Sequence, residues 1–152
     1  MSEDQPTFQI EKIYVKDLSL EIPNAPQVFL QAEQPQLEVQ IDNASAQFAD
    51  GMYEVTLSVT VTARVGERTI FLAEAVQAGI FAVRGVPQAD LEPLLAIGCP
   101  TILYPYARET VSDLVTRGGF PPVLLAPVSF EALYAQRAQQ QSAADSRIEI
   151  SS

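Results

Sequence analysis

The chain offers few side chains that could carry out covalent or acid–base chemistry. It contains no histidine, which excludes Ser-His-Asp and Cys-His nucleophile systems and most zinc sites. Cys99 is the single cysteine, so no intrachain disulfide can form. A free cysteine is more often a small buried apolar side chain than a nucleophile. Glu109 and Asp113 are four residues apart, but Arg108 and Arg117 beside them indicate a solvated helix face. The sequence therefore predicts that the protein is not an enzyme and uses no metal and no cofactor.

The charge of the chain is strongly negative and unevenly distributed. Nineteen acidic residues oppose nine basic ones, giving a net charge of −10. A chain of this charge gains no counterion release from nucleic acid or anionic membranes, which disfavours both as partners. Residues 1–54 hold ten acidic side chains against only Lys12 and Lys16. This N-terminal part of the chain is therefore predicted to form an acidic surface, which favours basic partners.

The length and the N-terminal residues predict one soluble domain. At 152 residues, a single domain is expected. The opening sequence MSEDQPT is polar and acidic, and no apolar run approaches the ~20 residues that a membrane helix needs. A lone cysteine also fits a reducing compartment. We therefore expect a cytoplasmic protein.

Alternating apolar and polar residues predict four β-strands in the first part of the chain. The first strand, Phe8 to Ile22, changes face twice, because Ile13 and Val15 take the face opposite to Phe8 before the original alternation resumes. Each change predicts a bulge or a bend. A long loop follows at residues 23–36 and carries apolar side chains. The other three strands are predicted from residue 37, over residues 53–61 and over residues 69–83.

A long helix is predicted between Cys99 and Gly118. Its apolar side chains recur at steps of three and four residues, as expected for one face of a helix. They are Leu103, Tyr106, Ala107, Thr110, Val111 and Leu114, and a second row lies beside them. A helix that is apolar over more than one stripe is usually buried on more than one side. We expect it to be sandwiched, either inside the fold or between subunits.

Two further helices are predicted. Residues 90–97 form a short one with Asp90 as its N-cap, and Ser129 caps a last helix over residues 130–141. Residues 1–7 and 142–152 are predicted to be disordered, which leaves one domain over residues 8–141. Strands followed by helices predict an α+β fold with a four-stranded antiparallel sheet.

Several segments carry a resemblance to a known family. They are TFQIEKIYVKDLSLEIPNAP, DGMYEVTLSVTVTA, TIFLAEAVQAGIF, CPTILYPYARETVSDLVTRGGFPP and LAPVSFEALYAQ. Over about residues 8–141, the chain closely resembles SecB, the family of bacterial protein-export chaperones. This resemblance implies a cytoplasmic homotetramer, a dimer of dimers in which long helices lie between two sheet layers. It also implies an ATP-independent holdase that binds unfolded preproteins and passes them to the translocase motor SecA.

The resemblance also implies three sets of site residues. SecA would dock on an acidic patch of the sheet at the positions Asp17, Glu21, Leu72 and Glu74. Preproteins would contact the family's groove walls, which are the loop after the first strand and the last helix and here supply Phe29, Leu30, Phe130, Leu133 and Tyr134. Beyond the resemblance, we predict further apolar contacts at Leu37, Val39, Ile41, Tyr53, Phe71 and Tyr104, and core packing is an alternative for all eleven. Subunits would meet at Leu103, Tyr106, Thr110, Val111 and Leu114.

Two departures and three alternatives accompany this resemblance. The chain has no tryptophan, although some relatives have one in the loop after the first strand, and its C-terminal tail is short. The main alternative is a SecB-like chaperone dedicated to a toxin–antitoxin or stress system. A small enzyme is disfavoured because the chain lacks histidine, a phosphate loop and a dinucleotide fingerprint. A purely structural oligomer is the third alternative.

Overall fold

Four antiparallel strands form one sheet, as the sequence predicts. The computed structural model describes residues 5–150, and the side chains of residues 5–143. The strands are β1 (Thr7–Glu21), β2 (Gln36–Ala49), β3 (Met52–Val65) and β4 (Arg68–Arg84). Their order in the sheet is β1-β4-β3-β2, so β1 and β2 form its two edges. Gly66 has a positive φ of 61° in the tight turn that joins β3 to β4, a conformation that suits glycine.

The two faces of the sheet differ in burial. Val55, Leu57 and Val59 of β3 are buried on the face that the helices cover, which we call the inner face. The alternating residues, such as Thr60 and Glu74, point to the opposite face, the outer face, and are half-buried or exposed. The alternation predicted for β3 is therefore confirmed.

Strand β1 contains two bulges. Its register against β4 shifts between Ile10 and Lys12 and again between Val15 and Asp17. These shifts confirm the two predicted irregularities. The prediction that Ile13 and Val15 face away from Phe8 is wrong, because each bulge adds one residue and restores the alternation. All three side chains lie on the inner face, opposite odd-numbered residues of β4.

The helical region is longer than predicted. Helix α1 (Gln88–Pro93) continues through a π-helical turn (Leu94–Gly98) into α2 (Cys99–Arg117). Asp90 is therefore not the N-cap. Pro87 takes that position, and Asp90 lies in the first turn, where the helix dipole favours a carboxylate.

Helix α2 packs against the inner face of β3 and β4. Leu103, Ala107, Val111 and Val115 are fully buried along this contact. A Cβ on Gly79 of β4 would lie 3.0 Å from a methyl carbon of Leu103, so this glycine allows the helix to approach closely. The apolar character of Leu103 and Val111 is thus explained by packing within one subunit, and their role at a subunit interface remains a prediction.

Helix α2 ends at Gly118 and Gly119, as predicted, and an extended segment leads to the last helix. Helix α3 runs over Phe130–Ile150. Ser129 caps it, because the Oγ of Ser129 accepts a hydrogen bond of 3.2 Å from the backbone N–H of Ala132. The predicted end at residue 141 is wrong, since helical backbone continues nine residues further.

The two stretches predicted to be disordered fall partly outside the described residues, at 1–4 and 151–152. In the described part, Thr7 already belongs to β1, and residues 142–150 belong to α3. The stretch contains alanine, arginine and glutamate, which favour helix, and has no proline or glycine to end it. The domain limits at 8 and 141 remain predictions.

Candidate functional site

An apolar cavity of about 310 Å³ lies along the inner face of the edge strand β2. Leu37, Val39 and Ile41 form its floor, because alternate residues of a strand share a face. Tyr104 of helix α2 also lines it. The extended segment 123–128 forms the facing wall. Leu37 is 48% exposed, so this floor is open to solvent.

A second cavity of about 310 Å³ adjoins the first at Leu37 and Val123, which line both. Three aromatic rings stack beside it. The ring of Phe120 lies 5.3 Å from that of Phe29 and 4.8 Å from that of Phe71, centroid to centroid. This stack fixes the loop after β1 against the sheet, which gives the cavity a rigid wall.

A third and larger cavity, of about 920 Å³, continues along β2 from Asn43 to Gln47. Its lining is more polar. It includes Tyr53 of β3 and Tyr134 and Arg137 of α3. Arg137 donates a 3.1 Å hydrogen bond to the side chain of Asn43, which ties α3 to the edge strand.

The three cavities lie in a row beside β2, from Leu37 to Gln47, and we call this row the groove. From residue 37 to residue 47, a strand spans about 35 Å at roughly 3.3 Å per residue. The groove is therefore long and narrow, and its apolar part is followed by a polar part. This shape suits an extended polypeptide better than a small molecule, which usually occupies a compact pocket.

The structure separates the eleven predicted preprotein-binding residues into three groups. Leu37, Val39, Ile41, Tyr53, Phe71, Tyr104 and Tyr134 line the groove, although Phe71 and Tyr104 are themselves buried. Phe29, which is half exposed, supports it through the ring stack. Leu30, Phe130 and Leu133 line none of the three cavities. Phe130 is buried and packs edge-on against Tyr104, so its contribution is to the core.

Sequence reasoning missed the wall formed by residues 123–128. Leu124 in this wall is 84% exposed, a high value for a large apolar side chain. The available signal was the sequence FPPVLLAPVSF, in which three prolines prevent helix while apolar residues persist. Residues 123–128 are extended and apolar but are not paired with a strand, so their apolar side chains are left to contact other parts of the chain or a bound partner.

The outer face of the sheet carries the predicted acidic patch. Glu21 pairs with Leu72, Ser19 with Glu74, and Asp17 with Val76 across β1 and β4. Directly paired residues share a face, so Asp17, Glu21, Leu72 and Glu74 lie together. The three carboxylates are exposed, and Leu72 is half-buried. Among the residues whose side chains are described, no salt bridge involves any of the three carboxylates.

A separate cluster of three side chains lies next to this patch. Glu54 accepts hydrogen bonds from the Tyr14 hydroxyl and from the Lys16 ammonium, the latter at 2.7 Å. The bond to Glu54 and partial burial raise the pKa of Tyr14 to about 12. The bonds from Lys16 and Tyr14 lower the pKa of Glu54 below its ordinary value. Glu54 is therefore held as a paired carboxylate.

The predicted subunit contacts on α2 differ in exposure, and three of them are not fully buried. Tyr106 is half exposed on the solvent side of α2, and Thr110 and Leu114 are half-buried. On the inner face of β1, Phe8, Ile10, Val15 and Leu18 are also exposed apolar side chains. Together these residues leave an apolar surface beside α2 that the chain does not cover.

The described residues offer little for covalent or metal chemistry. Cys99 is fully buried, and burial raises the pKa of its thiol to about 12. Within the part of the chain that the structure describes, no group of three or more acidic, cysteine or histidine side chains could hold a metal ion. None of the helices in the described range is both long and apolar enough to span a bilayer.

A long groove with an apolar floor on one face of a sheet and exposed carboxylates on the other define a protein suited to binding other polypeptides. Comparison with known proteins agrees with this class. The family model described as preprotein translocase subunit SecB matches residues 1–141. The chain belongs to the SecB family.

Several relatives are named protein-export protein SecB. That of Chromobacterium violaceum is 61% identical over 140 residues, covering 92% of this chain and 93% of the relative. That of Methylobacillus flagellatus is 59% identical over 143 residues, covering 94% and 91%. That of Neisseria meningitidis serogroup B is 53% identical over 145 residues, covering 94% and 99%.

A solved structure shares the fold at low sequence identity. It is a SecB-like chaperone of Mycobacterium tuberculosis in complex with a peptide from the HigA1 antitoxin. The two chains are 22% identical with a TM-score of 0.66, and the match covers 80% of this chain and 90% of the other. The α+β architecture is therefore that of SecB-like chaperones.

Proposed function

We propose that the protein is an ATP-independent export chaperone that holds unfolded preproteins and delivers them to the SecA motor. The observation that carries this proposal is the groove along β2, with its exposed apolar floor. Unfolded chains expose apolar and aromatic segments that native proteins bury. A groove about 35 Å long can take up about ten extended residues of such a chain. Preferential binding of the unfolded state then prevents the client from folding.

The apolar groove needs protection from self-association, since exposed apolar patches promote aggregation. The net charge of −10 supplies mutual repulsion between copies. The same charge attracts clients that carry basic segments and speeds their encounter. Leu30, Phe130 and Leu133 are the predicted client-contacting residues that the groove geometry supports least, because they line none of its cavities.

The acidic patch supports SecA as the second partner. Asp17, Glu21 and Glu74 are exposed carboxylates around Leu72. Glu74 is a charge between the apolar residues Leu72 and Val76 on the outer face of β4, so its position is not explained by packing. A basic segment of a partner would pair with these carboxylates, and salt would weaken the contact.

The uncovered apolar surface of β1 and α2 supports assembly into a dimer of dimers. Exposed Phe8, Ile10 and Leu18 on an edge strand are unusual for a monomer, which protects its edge strands with charge or cover. Tyr106 and Leu114 continue this surface onto α2. The proposal places the protein in the cytoplasm, where preproteins are present before export.

The alternative is a chaperone dedicated to a toxin–antitoxin or stress system. The neighbour that binds an antitoxin peptide shares only the fold, whereas the relatives at 53–61% identity are named for export. These similarities favour the export proposal.

Calorimetry with purified SecA at low and high salt tests the proposal. The wild-type protein is expected to bind SecA, with weaker binding at high salt, and Glu74→Lys is expected not to bind. Glu67→Lys makes the same charge change at the exposed turn after β3 and should bind as the wild type does. If the wild type holds a denatured client but does not bind SecA, the export assignment fails and the alternative is preferred.

A further inference from the structure

Lys16 lies directly beside the acidic patch. It is the extra residue of the second bulge in β1, where the register passes from Val15 to Asp17. In a bulge, two residues of one strand oppose a single residue of its partner, so Lys16 and Asp17 are crowded together. The Lys16 side chain reaches Glu54 on the outer face. Its ammonium is therefore on the same face as Asp17.

Glu54 holds this ammonium away from the patch. Glu54 lies on β3, opposite Ile80 of β4, and is separated from β1 by the width of β4. The salt bridge of 2.7 Å joins a Glu54 side chain that is 22% exposed to a Lys16 side chain that is 49% exposed. The Tyr14 hydroxyl bonds the same carboxylate and fixes its position.

Ala78, which lies on β4 between β1 and β3, leaves room for the contact of Tyr14 and Lys16 with Glu54. Tyr14 is paired with Ala78 of β4, which is paired in turn with Thr56 of β3. Ala78 lies on the outer face but is fully buried, as expected where the longer Tyr14 side chain extends across it towards Glu54. A large side chain at this position would block the path across β4.

We propose that Glu54 is a positioning residue that sequesters Lys16 and thereby keeps the patch around Asp17 anionic for a basic partner. This inference rests on the proposed docking of SecA at that patch. Without Glu54, Lys16 is left beside the carboxylate of its sequence neighbour on the same face, Asp17. The lysine would then neutralise a carboxylate that the partner needs, and the partner would have to displace it.

The first measurement needs no partner. NMR titration of the Asp17 carboxyl is made on the wild type, on Glu54→Gln and on Lys16→Met/Glu54→Gln. A nearby cation favours the ionised carboxylate, so the pKa of Asp17 is expected to fall in the single variant and to return in the double variant. An unchanged pKa of Asp17 in Glu54→Gln would overturn the inference, whatever SecA does.

The second measurement is SecA binding by the same proteins at low salt. Glu54→Gln is expected to bind about fivefold more weakly, the scale of one surface ion pair, and the double variant is expected to recover. If the double variant stays as weak as Glu54→Gln, then Glu54 contacts SecA itself and the positioning role is wrong. Thermal unfolding of each variant checks that the sheet is intact.

Lys12→Met is the matched control for the charge of Lys16. Lys12 is also on the outer face, opposite Ile80, four residues along β4 from the partner of Asp17. That spacing is about 13 Å, which exceeds the screening length of ~8 Å at physiological salt. Lys12→Met combined with Glu54→Gln is expected not to restore SecA binding, and restoration would contradict the local role of Lys16.

One further outcome separates the two proposals. If the wild-type protein fails to bind SecA while the pKa of Asp17 shifts as expected, the docking surface is refuted but the sequestration of Lys16 is supported.

Discussion

Thr110 on helix α2 donates a hydrogen bond to Gln77 on strand β4, with 3.0 Å between the hydroxyl oxygen and the amide oxygen. Gln77 is only 3% exposed and is the one buried polar side chain among those described. Its amide nitrogen donates to the backbone carbonyl of Tyr14 at 3.2 Å. This side chain thus connects the helix to the bulged part of β1.

Thr110→Val is expected to destabilise the protein by about 1–3 kcal/mol, because it leaves the buried amide oxygen of Gln77 without a donor. Urea denaturation measures the change. The double variant Gln77→Leu/Thr110→Val removes both partners and is expected to recover part of the loss. Independent, additive effects of the two substitutions would show that the hydrogen bond contributes nothing.

Gly79→Ala is expected to destabilise the fold by about 1–3 kcal/mol, the usual range for overpacking. A Cβ at this position would lie 2.8 Å from the ring of Phe81 and 3.0 Å from Leu103. Gly98→Ala makes the same chemical change in the π-helical turn, where the nearest atom is a terminal carbon of Leu94 at 3.2 Å. The control should therefore have a small effect. Equal thermal unfolding temperatures for the two variants would contradict the close approach of α2 to β4.

Leu124→Ser is expected to weaken the holding of a denatured client about threefold to tenfold without loss of stability. The side chain lines the groove and is largely exposed, so its apolar surface is available to a client but contributes little to the core. Suppression of client aggregation measures the effect. Phe48→Ser serves as the control, because Phe48 is also exposed but lines none of the three cavities. Equal loss in both variants would argue against the groove.

Cys99 is expected to react slowly with iodoacetamide at pH 8. The thiolate is the reactive form, and the pKa of about 12 keeps the buried thiol protonated. A Thr101→Cys variant in a Cys99→Ala background places an exposed thiol two residues away and should react at least about 100-fold faster. In urea the two rates should become equal. Fast labelling of Cys99 in the native protein would show that this part of α2 opens readily.

Local patterns in the sequence were sufficient for the sheet. The alternation of β3 and the irregularities of β1 could be predicted because apolar and polar side chains of a half-buried strand lie on opposite faces of the sheet. Which face the residues after a bulge would take could not be predicted, since a bulge leaves no mark of its direction. Ile13 and Val15 were misplaced for this reason.

Contacts between distant segments account for the remaining errors. The stripe on α2 showed that Leu103 and Val111 are buried, but not whether the sheet of the same chain or a second subunit covers them. The wall around Leu124 depends on the position of an extended segment, which has no periodicity to read. The pairing of Lys16 with Glu54 joins residues 38 apart in sequence and across a strand. Acidic and basic residues at such spacing give no local signal.

The alternation of strand β2 separates two kinds of surface by the thickness of one backbone. Leu37, Val39 and Ile41 face the groove, while Glu38, Gln40 and Asp42 between them face the acidic side. On the proposed function, cargo and receptor therefore need not compete for space. A subunit that holds cargo in the groove can still be recognised by SecA at its outer face, and transfer can begin while the cargo is still bound.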